Sequence, residues 1–292
     1  MKINSTIKYV SDILELWIPQ KMMYEDVPGM SIGIFFKGKM LYKNGFGYFD
    51  MQKKKKMGPD DFYRVASMSK MFTAVSILQL QEQGKLKLSD RVSKHLPWFK
   101  AKNAKGDLSK VTVQQVLSHE SGLFRDGEKP YWYSHKFPKT LQDTISERSI
   151  IFNKSKRFKY SNHAYAVLGD VIEVVSGKTY AEYIQRNILT VLGMKSTYPD
   201  FESKALSRLA RGYGRVLPNQ RNKREIFPNV STYAYAPATG FISNISDLSR
   251  FLGSLVFHSS GKQILSEKSK HMMIQPLIKT GDKRHYGLGI AL

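Results

Sequence analysis

The chain has 292 residues, and 41% hydrophobic with 24% charged side chains is a globular balance that excludes a disordered or fibrous protein. It has 0 cysteines, which excludes disulfides and thiolate metal sites. Against 24 Asp and Glu stand 46 Lys and Arg, and the formal net charge of +22 draws anionic polymers or membrane surfaces at long range without naming a partner.

The opening residues, Met1 to Ser5, run straight into an amphipathic pattern without the apolar core and small-residue cleavage site of a secretory signal. A cytoplasmic location is therefore expected, or a periplasmic or secreted one if a leader is removed. Ile7, Val10, Ile13, Leu14, Trp17 and Ile18 recur at helical spacing, which predicts an opening helix that lays one apolar stripe on a neighbour. Pro28-Gly29 ends it. Met30 to Phe36 and Met40 to Phe46, separated by Lys37-Gly38-Lys39, predict two strands in a tight hairpin. Such apolar runs fall far short of the ~20 residues that span a bilayer, so no transmembrane segment is expected. Lys53-Lys54-Lys55-Lys56 reads as a solvated loop tip, and no zinc-finger spacing or RNP-like aromatic pattern accompanies the charge, so no specific nucleic-acid partner is expected.

From about Arg64 the pattern is helical for most of the following 180 or so residues. Met71, Phe72, Val75, Leu78 and Leu80 form the apolar side of a helix that Gly84 closes. Thr112 with Gln115 resembles a capping box opening Val113 to Leu117, ahead of a loop from His119 to Gly122. Further helices are predicted over Asn162 to Val175, ending at Ser176-Gly177, over Tyr180 to Leu189, and over Ser243 to Phe257 with Leu248, Phe251, Leu252 and Leu255 on one side. Strand character returns in Tyr286-Gly-Leu-Gly-Ile-Ala-Leu. The expected organisation is one domain over 1–292, with a sheet lobe at about 1–63 and 258–292 and a helical lobe at about 64–257. Ser67 lies at their junction, where clefts favour ligand sites.

Ser67-Met68-Ser69-Lys70 carries the chemistry. On a helix, residues at i and i+3 share a side, so Lys70 sits beside the Ser67 hydroxyl, and a poorly solvated lysine can titrate low enough to act as its base. Ser69, adjacent to Lys70, does not face it. By itself the spacing is common, and a solvent-exposed coincidence is the bland alternative. Tyr160-Ser161-Asn162 is a second element: the phenol can move a proton, and the Asn162 amide can meet a substrate carbonyl or hold the lysine. An ordinary helix start capped by Ser161 or Asn162 is its bland reading. The histidines show no zincin spacing.

Eight blocks in order set both motifs in a wider pattern: Val27-Pro-Gly-Met-Ser, Gly38-Lys with Gly45-Phe-Gly, Phe62-Tyr-Arg-Val-Ala-Ser-Met-Ser-Lys, Leu86-Lys-Leu-Ser-Asp, Leu117-Ser-His-Glu-Ser-Gly-Leu, Tyr160-Ser-Asn, Gly240-Phe-Ile-Ser with Asp247-Leu, and Tyr286-Gly-Leu-Gly. In these the chain resembles the class C β-lactamase-related, penicillin-binding-protein-like serine hydrolases, a family of β-lactamases, D,D-peptidases, D-aminopeptidases and esterases. The resemblance implies an α/β (α+β) β-lactamase/transpeptidase-like fold, an antiparallel sheet with flanking helices plus a large all-helical lobe. It implies hydrolysis of a small ester, amide or peptide through an acyl-enzyme. Ser67 would be the nucleophile, Lys70 its partner, Tyr160 the proton shuttle and Asn162 a substrate contact. No metal or cofactor is implied, and His119 matches a position that is structural in the family.

Two departures accompany the resemblance. The family's third motif, Lys or His followed one residue later by Gly, lies on a strand after the Tyr-Gly-Leu-Gly block and helps to build the oxyanion hole; no such motif follows here. Lys279-Thr280-Gly281 spells it, yet upstream and in a polar, loop-like segment, so it is expected outside the cleft. Without the further strands and closing helix, an exposed sheet edge open to self-association is expected. The alternatives to an enzyme are a catalytically defective relative acting as a binding or structural protein, and a fragment completed by another chain.

Overall fold

The structure, a computed structural model, describes residues 3–126, 131–145, 157–216, 224–257 and 261–292. Helix α1 (Ile3–Tyr24) lies along strand β2 (Lys39–Asp50), burying Ile18 and Met22 and half-burying Val10 and Leu14. This row at i, i+4 is narrower than the expected stripe. Ile13 and Trp17 each sit one residue, about 100°, off it and face solvent.

Strand β1 (Gly29–Phe36) pairs antiparallel with β2, and the chain reverses through Lys37 at φ 46° and Gly38 at φ 79°, the two left-handed residues that a tight hairpin turn demands. Strand β3 (Lys55–Lys56) adds to β2 in the order β1-β2-β3, leaving β1 at an edge among the described residues. The lysine tetrad is exposed as expected, and Lys55 and Lys56 sit over the rings of Phe49 and Tyr48 at 3.9 and 4.2 Å.

Helix α2 (Ser69–Glu82) is the centre of the core, with Phe72 stacked between Phe241 and Phe251 at 4.3 and 3.9 Å. The Asn162–Ser176 helix packs against it, capped by Ser161 and closed by Gly177 at φ 67°. The Thr112–Gln115 capping box forms. A second box, Thr179 with Glu182, opens the Tyr180–Ile184 helix; its sequence signature is the same and went unread. The stretch read as helical also holds two-stranded pairs, Lys102–Asn103 with Gly106–Asp107 and Gly212–Val216 with Arg224–Phe227.

Near the end, Ile278–Gly281 pairs with Arg284–Tyr286, and this hairpin is a separate sheet from β1-β2-β3. Lys279-Thr280-Gly281 is therefore strand rather than loop. Its inward and outward residues alternate over only four positions, too few for a periodicity to register. The expected strand beyond Tyr286 is reduced to one bridge between Tyr286 and Ala291, because the intervening residues turn to pack on α2. Gly289 makes that approach possible: its φ is 81°, and a Cβ there would stand 2.4 Å from the Ala74 Cβ. Among the described residues no helix is long and apolar enough to cross a membrane.

Candidate active site

Ser67 does not lie within α2. It sits on a 3₁₀ turn, Ala66–Met68, that feeds the helix, while Lys70 falls in the first helical turn. Ala66 has φ 47°, a left-handed conformation that non-glycine residues rarely hold and that is found at functional sites. The turn is tied to the core by Ser69, whose Oγ donates to the Ala66 carbonyl at 2.6 Å and accepts from the Phe241 N–H at 3.1 Å. Ser69 is thus a buried strut, and Ser67 is exposed beside it.

Three groups meet the Lys70 amine, which is 1% exposed. Nζ donates to Asn162 Oδ1 at 2.6 Å and to the Ala238 carbonyl at 2.8 Å, and stands 3.4 Å from Ser67 Oγ. Burial pulls the ammonium down to about 7; the Asp126 carboxylate opposes that fall and the Arg125 guanidinium adds to it. Tyr160 approaches from the other side, its Oη donating to Ser67 Oγ at 2.6 Å. Burial raises the phenol above its ordinary value, offset in part by the Ser67 hydrogen bond and by Arg125.

Asn162 is buried with both amide ends engaged. Oδ1 holds Lys70, and Nδ2 donates to Asp126 Oδ1 at 2.5 Å, leaving one further N–H on that nitrogen. His119 lies beneath Tyr160, with ring centres 4.5 Å apart, and its Nδ1 accepts the Ser161 N–H at 3.1 Å. Burial, with the Lys70 charge behind it, pushes His119 down to about 3, so the ring is neutral. It orients the Tyr160 segment by packing on the Tyr160 ring, and among the described residues it makes no hydrogen bond to Ser67, Lys70 or the Tyr160 hydroxyl. Beside the nucleophile, Val65 and Met68 line a cavity of about 320 Å³ with Met30, Ser31, Tyr63 and Leu248.

The four residues singled out in the sequence therefore gather around Ser67 Oγ. Lys279 and Thr280 do not: among the described residues, no hydrogen bond joins either to Ser67, Lys70 or Tyr160, and Lys279 is exposed. Sequence reasoning missed Asp126, Arg125 and the Ala238 carbonyl. The first two follow closely on the Leu-Ser-His-Glu-Ser-Gly-Leu block and could have been suspected as a polar pair; a backbone carbonyl leaves no trace in sequence. Among the described residues no group of three His, Asp or Glu side chains is placed to hold a metal ion.

The β-lactamase family profile matches residues 14–287. This chain belongs to the β-lactamase family. It is 36% identical over 173 residues to Protein flp of Staphylococcus aureus (strain MW2), covering 59% of this chain and 34% of that one. With the teichoic acid D-alanine hydrolase of Staphylococcus aureus it shares 33% identity over 186 residues, 63% of this chain and 44% of that one. The octameric penicillin-binding protein homologue from Pyrococcus abyssi superposes with a TM-score of 0.78 at 28% identity, over 96% of this chain and 64% of that one. The fold is thus β-lactamase/transpeptidase-like, with mixed helices and sheets, and the chain spans about a third of the flp proteins it matches.

Proposed function

We propose that the chain is a serine hydrolase that works through an acyl-enzyme at Ser67 on a small ester, amide or peptide. The observation that carries this is the placing of Ser67 Oγ between Tyr160 Oη at 2.6 Å and Lys70 Nζ at 3.4 Å. A neutral amine has two N–H groups and one lone pair. The two carbonyl acceptors, Asn162 Oδ1 and Ala238 O, take the N–H groups, and the lone pair is left for the Ser67 hydroxyl. Ser67 Oγ then attacks the substrate carbonyl carbon as its proton passes to Lys70 Nζ. The bond from that carbon to the leaving oxygen or nitrogen breaks, and the leaving group takes the Tyr160 proton, which the Lys70 ammonium restores. Water attacks the acyl-enzyme by the same route in reverse.

Similarity to a teichoic acid D-alanine hydrolase supports release of a D-alanyl group as the reaction class, beside D,D-peptidase and β-lactam hydrolysis. We read the chain as one domain whose sheet and helical lobes meet at the Ser67 turn. A second reading, a relative that binds or self-associates through the β1 edge rather than turning over substrate, draws on β1 having a paired strand on one side only among the described residues. Intact mass spectrometry after treatment with a fluorophosphonate separates the two. One adduct, mapping to Ser67 and absent from Ser67→Ala, is expected; an adduct that persists in Ser67→Ala overturns the assignment, and no adduct at all favours the binding reading.

A further inference from the structure

Arg125 stands beside the Tyr160 ring, and among the described residues its side chain makes no hydrogen bond to Ser67, Lys70 or Tyr160. Its backbone is built into the site: the Arg125 carbonyl accepts from the N–H groups of Asn162 and His163 at 2.6 and 3.1 Å. Both neighbours are pinned as well. Ser161 Oγ donates to the Phe124 carbonyl at 2.5 Å, and Tyr235 Oη donates to the Asp126 carbonyl at 3.0 Å. The position is therefore fixed while the side chain stays 69% exposed, unlike the buried Lys70, Asn162 and His119 behind it.

The guanidinium carbon lies 5.6 Å from the centre of the Tyr160 ring, the ring whose hydroxyl touches Ser67 Oγ. Its Nε is 3.5 Å from Asp126 Oδ2, which occupies one of three nitrogens, and the Asp126 carboxylate is already bound by the Asn162 amide through Oδ1. A guanidinium offers five N–H donors in a planar fork that matches the paired oxygens of a carboxylate or phosphate. Lysines and arginines exceed acidic residues across the whole chain, for a net charge of +22, so an anionic substrate is drawn toward this surface before it meets the fork.

We propose that Arg125 determines substrate specificity: its guanidinium holds a carboxylate or phosphate-type oxyanion carried by the substrate close to the acyl group that Ser67 attacks. This rests on the acyl-transfer reading and gives it a substrate class, acyl compounds with an anionic arm. Three activated esters test it: 4-nitrophenyl butyrate, which is neutral; the 4-nitrophenyl monoester of succinate, with a carboxylate; and 4-nitrophenyl 3-phosphonopropionate, with a phosphonate. The readout is the ratio of kcat/KM for each anionic ester to that for the neutral one, which cancels any effect of Arg125 exerted through Lys70. Charge-assisted hydrogen bonds of this kind correspond to about 10- to 100-fold, so Arg125→Gln should lower the ratio by that much and Arg125→Lys should recover part of it. The anionic ester with the larger wild-type ratio names the group. A ratio unchanged in Arg125→Gln overturns the proposal. If the wild-type protein hydrolyses none of the three, the acyl-transfer reading falls, and binding decides the arginine separately. Succinate or 3-phosphonopropionate binding to Ser67→Ala should weaken at least tenfold on adding Arg125→Gln, and equal affinities contradict it.

Discussion

On the acyl-transfer reading, a lysine buried among two carbonyl oxygens, a hydroxyl and the Tyr160 ring, and pulled down to about 7, can take up a proton near neutral pH, and this sets the division of labour at the site. With Lys70 lowered to about 7 and Tyr160 raised above its ordinary value, the amine is the proposed base and the phenol is proposed to enter each cycle protonated. Lys70→Ala should remove acylation of Ser67 while circular dichroism shows a folded protein; a folded variant with full turnover contradicts the assignment. Tyr160→Phe should slow turnover by about 100- to 10,000-fold, the range for a group that carries a proton in the transition state. A change below threefold returns the phenol to packing. Asp126 works through its charge. Because the carboxylate holds the Lys70 ammonium up against burial, Asp126→Asn should move the rising limb of the acylation rate to lower pH. A limb that moves to higher pH shows that Asp126 acts instead through its grip on Asn162.

Helix ends and turns place these residues, and their legibility varied with how local the cause is. That Ser67, Lys70, Tyr160 and Asn162 come together could be anticipated because each motif is a few residues long and the groups that meet are the side chains themselves. The Ala238 carbonyl, 168 residues from Lys70, reaches the site only when the chain closes on itself. Caps were legible for the same local reason: Ser161 Oγ accepts the Ala164 N–H at 2.9 Å, and Gly177 ends the helix in a left-handed conformation. The outward turn of Ile13 and Trp17 and the strand at Ile278 were not, because both depend on which neighbour the element meets. Gly289 joins the two kinds of cause. Its glycine is visible in the Tyr286-Gly-Leu-Gly block, but its reason is contact with α2 next to Lys70. Gly289→Ala should destabilise the protein by about 1–3 kcal/mol from overpacking, with about 1–2 kcal/mol more from the left-handed backbone, read from urea denaturation. A loss under 0.5 kcal/mol would mean that this segment does not press on α2.

At the scale of the molecule, the larger of two core clusters among the described residues runs from Phe72 to Leu288 and packs α2 against the Asn162–Ser176 helix, so the elements that carry Lys70 and Asn162 are held together by packing. The fold and the family were both legible in the order of sequence blocks, because those blocks are the turns, caps and close contacts that hold this core. Membership in the β-lactamase family is compatible with several substrates, so the chemistry at Ser67 has to be tested on this chain itself. The most direct measurement is the pH dependence, from about pH 5 to 10, of the second-order rate of Ser67 acylation by an activated ester, in the wild type and in Tyr160→Phe. Below about 7 the Lys70 ammonium cannot take the Ser67 proton, and above it the amine can, so the rate should rise through about 7 and then level. Tyr160→Phe should be slower with the same limb. A wild-type rate without that limb, or a limb that vanishes in Tyr160→Phe, would contradict Lys70 as the base and make the phenolate the group that activates Ser67.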